Sequence, residues 1–214
     1  MDVIDAIRNR HSVRAFLPEP VDRETLNAVF ETAARSPSWA NSQPWEVFAA
    51  TGGALERIRE GYRSRYDSKS PTAPETPPPK VWTEAAKKRQ QQLYPDMLRD
   101  CGESVEQFGT LNQSLFGAPA VVYICMDKTL SEWSLYDIGA YSQSLMLAAL
   151  GKGLGAIQAI TLTMFPDIVR RELSIPENLK ITIGIAIGYP DKGNKINSFV
   201  SARSPLEETV HIFE

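Results

Sequence analysis

Histidine and cysteine are scarce in this chain, and each scarcity removes a class of chemistry. His11 and His211 are the only imidazoles, and Cys101 and Cys125 the only thiols, in 214 residues. A zinc site or a Ser-His-Asp triad is therefore poorly supplied. Neither cysteine has metal-ligand spacing, and two in a chain of this length make no disulfide framework, so both are read as reduced. No stretch approaches the roughly 20 apolar residues of a membrane span. Positive charge is not in surplus either: 23 Lys and Arg face 26 Asp and Glu, a net charge of −3, which argues against non-specific nucleic-acid binding. The expectation is one domain, residues 1–214, in the cytoplasm, with no metal, nucleic-acid or membrane partner.

What is present is concentrated between residues 10 and 45. Arg10-His11-Ser12-Val13-Arg14 puts two arginines and a serine at alternating positions. On an extended segment they share a face, two cationic forks and a hydroxyl aimed at one anion such as a phosphate. Taken alone, the same pattern is also that of a solvated surface patch. Pro37-Ser38-Trp39-Ala40-Asn41-Ser42-Gln43-Pro44-Trp45 is a poor helix and a poor central strand, because proline fixes φ and Ser and Asn bond their own backbone. It reads as a rigid polar loop with aromatic walls, or as an ordinary helix-to-strand connection.

Along the rest of the chain, Asp2 is placed to cap a short helix with Val3, Ile4 and Ile7 as its apolar face, and Asp22 to cap a second helix bearing Leu26, Val29 and Ala33. Residues 45–51 read as a buried strand, Gly52-Gly53 as a turn and 54–63 as a helix. Five prolines between 68 and 80 exclude a core element there. The charged, glutamine-rich stretch 82–108 is either a lid over a ligand site or a solvated decoration. Residues 118–126 form a continuously apolar run, as expected of a strand covered on both faces. Residues 136–150 make a helix apolar nearly all round, which belongs in the core or at a subunit interface.

Gly151-Lys152-Gly153-Leu154-Gly155-Ala156 matches the dinucleotide fingerprint G-x-G-x-x-G/A in spelling. That fingerprint needs a strand before it and a helix after it. Here a helix precedes and a strand, 156–160, comes next, so the glycines read as a helix cap and tight turn. Pro166 then starts a helix, 180–189 reads as a strand, and 191–214 has too little periodicity to fold alone and reads as an extended arm.

Together, in this order, the two N-terminal clusters resemble the nitroreductase family of FMN-dependent oxidoreductases. The helix-Gly-x-Gly-x-Gly junction, the strand ending at 184–190 and the tail Ala202-Arg203-Ser204-Pro205-Leu206-Glu207-Glu208 match the family pattern, so the likeness covers the chain outside about 64–112. It implies an α+β fold, a small central sheet enclosed by helices, with a variable lid at 64–112 and an arm at 191–214 reaching onto a partner subunit of a homodimer.

The resemblance also implies FMN as cofactor and NADH or NADPH as electron donor. Arg10, Ser12 and Arg203 would grip the FMN phosphate and nearby ribityl oxygens, and Arg14 would stand at the N1/C2 oxygen edge of the flavin and act in catalysis. Pro37, Ser38, Trp39 and Asn41 would come from the partner. Leu162 and Thr163 would lie against the central ring, with a backbone N–H near Thr163 offered to N5, although family members often carry Glu-Gly at Thr163-Met164. Ser201 stands where a second basic residue often occurs. His11 is either a backbone or phosphate contact or a packed imidazole. The implied activity is ping-pong reduction of nitroaromatic compounds to hydroxylamines, with wording most similar to the nitrobenzoate and nitrobenzene reductase branch. Reduction of another electron-poor acceptor, such as a quinone, and non-catalytic flavin binding are the alternatives.

Overall fold

The computed structural model describes residues 2–214. Its elements are α1 (Val3–Asn9), α2 (Arg23–Ala33), β1 (Glu46–Thr51), α3 (Gly52–Asp67), α4 (Glu84–Cys101), α5 (Phe108–Gln113), β2 (Ala120–Asp127), α6 (Trp133–Gly151), β3 (Gly155–Ala159), α7 (Pro166–Leu173) and β4 (Leu179–Gly188). The four strands form one antiparallel sheet in the order β1-β2-β4-β3. Both faces are covered, which is the α+β architecture expected.

β2 shows why its sequence is apolar at every position. Val121, Tyr123 and Cys125 point to one face, where Leu55, Ile58 and Tyr62 of α3 and Ile168 and Val169 of α7 meet them. Ala120, Val122, Ile124 and Met126 point to the other, against Leu26, Val29 and Ala33 of α2 and Ile138, Tyr141, Leu145 and Ala149 of α6. A strand with two buried faces has no polar position to alternate with.

The caps are those the sequence signals. Asp2 accepts from the Ile4 amide at 2.8 Å and Asp22 from the Thr25 amide at 2.8 Å, and Pro166 opens α7. α3 differs: it begins at Gly52, whose φ of +49° lets the chain enter the helix directly without the expected turn, and it continues to Asp67. α6 starts earlier than expected, at Trp133. The apolar face of α1 is not covered by its own chain, since Val3, Ile4 and Ile7 are 62%, 50% and 51% exposed.

Gly153 takes φ +77° after α6, as a helix stop requires. Gly155 has a different reason. A Cβ there would lie 2.5 Å from Val13 Cγ2, so this glycine admits the N-terminal segment onto β3. The segment pairs through Ser12 and Ala156 in parallel and donates from Val13 N to the Ala156 carbonyl at 3.1 Å. The glycine run is thus an instrument of packing between the site segment and the sheet.

Two connections carry more structure than composition suggested. The proline-rich stretch holds Glu75, whose carboxylate makes paired 2.8 Å bonds to Arg170 and accepts from the Ile181 amide at 2.6 Å. Burial alone would raise the Glu75 pKa, but these bonds and the nearby charges of Arg170 and Lys128 outweigh it and hold the carboxyl below its ordinary value. The stretch 82–113 packs inward through Met97, Cys101 and Val105, which share a small core with Ala15, Ile196 and Phe199. Ile196 and Phe199 therefore dock on their own chain, whereas Val200, Leu206, Ile212 and Phe213 beyond them are exposed.

Candidate active site

The segment from Arg10 to Ala15 leaves α1 extended and is pinned from two sides. β3 holds it through Ser12 and Val13, while Asn197 holds it from the far end of the chain. Asn197 Oδ1 accepts from the amides of Arg14 (2.7 Å) and Ala15 (3.1 Å), and its Nδ2 donates to the carbonyls of Ala15 (2.7 Å) and Asp191 (2.9 Å). One side-chain amide thus bonds four backbone groups, of which the Ala15 carbonyl also accepts from the Asp191 amide at 3.1 Å. No sequence pattern distinguishes this asparagine from Asn194, so its role is invisible before the fold is known.

Arg14 is the buried charge of this segment. It is only 9% exposed, its Nη1 donates to the Ser12 carbonyl at 3.0 Å, and its guanidinium carbon lies 5.3 Å from the Phe199 ring centre. Its Nε is buried without a hydrogen-bond partner, and no carboxylate pairs with it among the described residues. Burial draws its pKa below the ordinary arginine value, yet guanidinium remains charged. Leaving a buried charge unpaired costs several kcal/mol. An anion brought beside Arg14 would offset that cost.

Around it, Arg10 and Ser12 are partly buried. His11 Nδ1 lies 3.0 Å from the Asn9 carbonyl and donates to it. Leu162 and Thr163 sit in a tight turn directly after β3. The Leu162 carbonyl accepts from the Tyr62 hydroxyl at 2.6 Å, and the Thr163 hydroxyl donates to the Ile160 carbonyl at 2.9 Å. Both residues are buried, and a Cβ on Gly184 would meet Leu162 Cβ at 2.5 Å. Their side chains are occupied in packing, leaving only backbone to offer a ligand. Arg203 is exposed and bonds Ser201 and Ala202 through Nη1.

The Pro37–Trp45 loop closes on itself through its own polar side chains. Ala40, Asn41 and Gln43 take φ of 51°, 57° and 45°, conformations costly for residues with a Cβ unless held. Ser38 Oγ accepts from the Gln43 amide at 3.0 Å, and Gln43 Nε2 donates to Asn41 Oδ1 at 3.2 Å. The buried carboxylate of Asp137 on α6 accepts from the Trp39 amide at 3.2 Å, a tether that carries no sequence signal because it spans 98 residues. Trp45 stacks on Tyr141 at 4.8 Å. Trp39 is 70% exposed, edge-on to Trp133 at 6.1 Å. Among the described residues, no hydrogen bond or ion pair joins this loop to the Arg10–Arg14 segment.

The sequence profile of the Nitroreductase family matches residues 7–189. The chain belongs to that family. It is 31% identical over 209 residues to the nitroreductase NfnB of Mycolicibacterium smegmatis, covering 95% of this chain and 89% of that one. It is also 31% identical over 221 residues to a 4-nitrobenzoate reductase of Nocardioides sp., covering 98% and 90%. The solved FMN-dependent nitroreductase NfnB from Mycobacterium smegmatis in complex with NADPH superposes with a TM-score of 0.89 at 29% identity, over 99% of this chain and 97% of the other. The nitroreductase fold expected from the motifs is therefore the fold observed.

Proposed function

We propose that this nitroreductase-family chain binds FMN, draws electrons from NADH or NADPH and reduces nitroaromatic compounds to hydroxylamines. The observation that carries this reading is the buried Arg14 guanidinium with no counter-charge. An FMN site fits the residues present: a cation shielded from water for the electron-rich edge of a flavin, with Arg10, Ser12 and Arg203 for the phosphate. Bound FMN would supply the hydride-accepting and hydride-donating chemistry. Each two-electron step from nitro to nitroso and from nitroso to hydroxylamine consumes one NAD(P)H and one proton, and the first releases water.

The chain's own residues bind, orient and stabilise. Arg14 offers a fixed positive charge where negative charge collects on reduction, and a charge already in place needs no reorganisation at the moment of transfer. The Leu162–Thr163 turn gives a backbone surface for the ring system. Trp39 gives an aromatic wall on which a planar acceptor can stack.

The active unit in this reading is a homodimer in which Pro37, Ser38, Trp39 and Asn41 complete the partner's site. The uncovered Val3, Ile4 and Ile7 and the exposed Trp133 and Tyr136 supply apolar surface for the second chain. Residues 200–214 lie across it. Both cysteines are buried free thiols, which suits a reducing compartment such as the cytoplasm. Denaturing the purified protein and chromatographing the released flavin tests the assignment: FMN is expected, and FAD or no flavin would overturn it.

A further inference from the structure

A cavity of about 170 Å³ lies between α4 and residues 199–204, lined in part by Phe199, the ring that also meets the Arg14 guanidinium. Arg89 of α4 and Arg203 of the arm both line it, with Phe199, Ser201, Ser204 and Asp96. The Asp96 carboxylate is already engaged, accepting from Arg99 at 2.6 Å and from Gln92 at 3.1 Å. Arg89 makes only a long 3.4 Å contact to Ser204 Oγ. Arg203 uses Nη1 alone. Neither guanidinium has an ion pair among the described residues, so the cavity holds two unneutralised cations and two hydroxyls. Both guanidiniums are exposed, so water screens their repulsion and leaves their free N–H groups open to an anion.

We propose that Arg89 and Arg203, with Ser201 and Ser204, bind a phosphate monoester, and that Arg89 is the contribution of α4 to recognition. Three features of the chemistry select that ligand. A phosphate monoester is dianionic near neutral pH, presents three acceptor oxygens, and takes two guanidinium forks and hydroxyl donors at once. The assignment rests on the flavoenzyme reading, which names two sources of such a group: the 5′-phosphate of FMN and the 2′-phosphate of NADPH. Ser201 leaves room on the arm that a longer cationic side chain would fill, and Arg89 approaches from α4. On this assignment, the stretch 82–113 is fastened over the site by the ligand as well as by Met97, Cys101 and Val105.

The test compares wild-type protein with Arg89→Gln and Arg89→Lys in two arms. In the first, flavin-free protein is titrated with FMN and with riboflavin, which lacks the phosphate. In the second, FMN-loaded protein is titrated with NADPH and with NADH. We expect Arg89→Gln to weaken the phosphate-bearing ligand about ten-fold in one arm, since a hydrogen bond to a charged group is worth that much, and to change its phosphate-free counterpart less than about two-fold. The arm that responds identifies the source. Arg89→Lys should recover part of the loss, and raising the salt should shrink it. Equal losses for both members of a pair, or no loss in either arm, would overturn the proposal. If wild-type protein still prefers FMN to riboflavin while Arg89→Gln leaves that preference intact, the flavin reading stands and only Arg89 falls. Wild-type protein that discriminates in neither arm overturns both.

Discussion

The two halves of the site are built in opposite ways. The Arg10–Arg14 half is buried in its own chain, gripped by Ala156 on one side and Asn197 on the other, and it holds an unmet positive charge. The Pro37–Trp45 half closes on itself, is tethered to α6 through Asp137, and turns an indole outward. The first half is complete as structure and incomplete as electrostatics. The second is complete in its polar contacts and incomplete in its burial. The first lacks an anion and the second lacks cover, and the proposed reading meets both needs at one place, with the cofactor supplying the anion and a second chain the cover.

Breaking the first half should have the largest effect. Asn197→Ala strips four hydrogen bonds from backbone groups that are partly shielded from water, at about 1 kcal/mol each. We expect a loss of roughly 3 kcal/mol or more in urea unfolding, together with loss of flavin. An effect near zero would mean that water replaces the amide and that the segment needs no clamp.

Loosening the second half should cost less. Asp137→Ala removes one charge-assisted bond to Trp39, worth roughly 1.5 to 3 kcal/mol. Asp137→Asn, which keeps an acceptor oxygen, should recover part of it. The diagnostic readout is Trp39 fluorescence anisotropy in a variant that retains Trp39 and carries Phe at Trp45, Trp82 and Trp133. It should fall on Asp137→Ala, and an unchanged value would remove Asp137 from its positioning role.

Arg14→Met separates stability from chemistry within the first half. The flavin-free protein should become more stable by about 1 kcal/mol, because an unpaired buried charge is replaced by an apolar chain. The midpoint potential of the bound flavin should become more negative, because the cation that favours the reduced form is gone. A destabilised flavin-free protein with an unchanged potential would reduce Arg14 to a packing residue.

These contrasts also explain what could be read from the sequence. β2, α2 and α6 were legible because their apolar residues repeat along the chain: every position in β2, one stripe in α2 and nearly all round in α6, of which one stripe is buried. The Gly153-Leu154-Gly155 stop was legible from element order. The Arg10–Arg14 and Pro37–Trp45 clusters were legible because several demanding residue types crowd a short span. Asn197, Asp137 and Glu75 were not, since each acts on backbone groups more than ninety residues away and carries no local pattern. Local patterning also hid the dock of Ile196 and Phe199, two apolar residues in a polar stretch whose partners come from α4 and Ala15. The α1 face was legible only in part for the same reason: three apolar residues on a stripe say that something covers them, not which chain does.

The measurement that tests the shared site most directly is complementation between two damaged subunits. One carries Arg10→Ala and Arg14→Ala, the other Ser38→Ala and Asn41→Ala, and each alone should be nearly inactive in NADPH-dependent reduction of 4-nitrobenzoate. After subunit exchange, about half the dimers should be mixed, each with one doubly damaged site and one intact site, so the mixture should regain roughly a quarter of wild-type activity. No recovery, with exchange demonstrated by mass-tagged subunits, would show that each chain holds its cofactor alone.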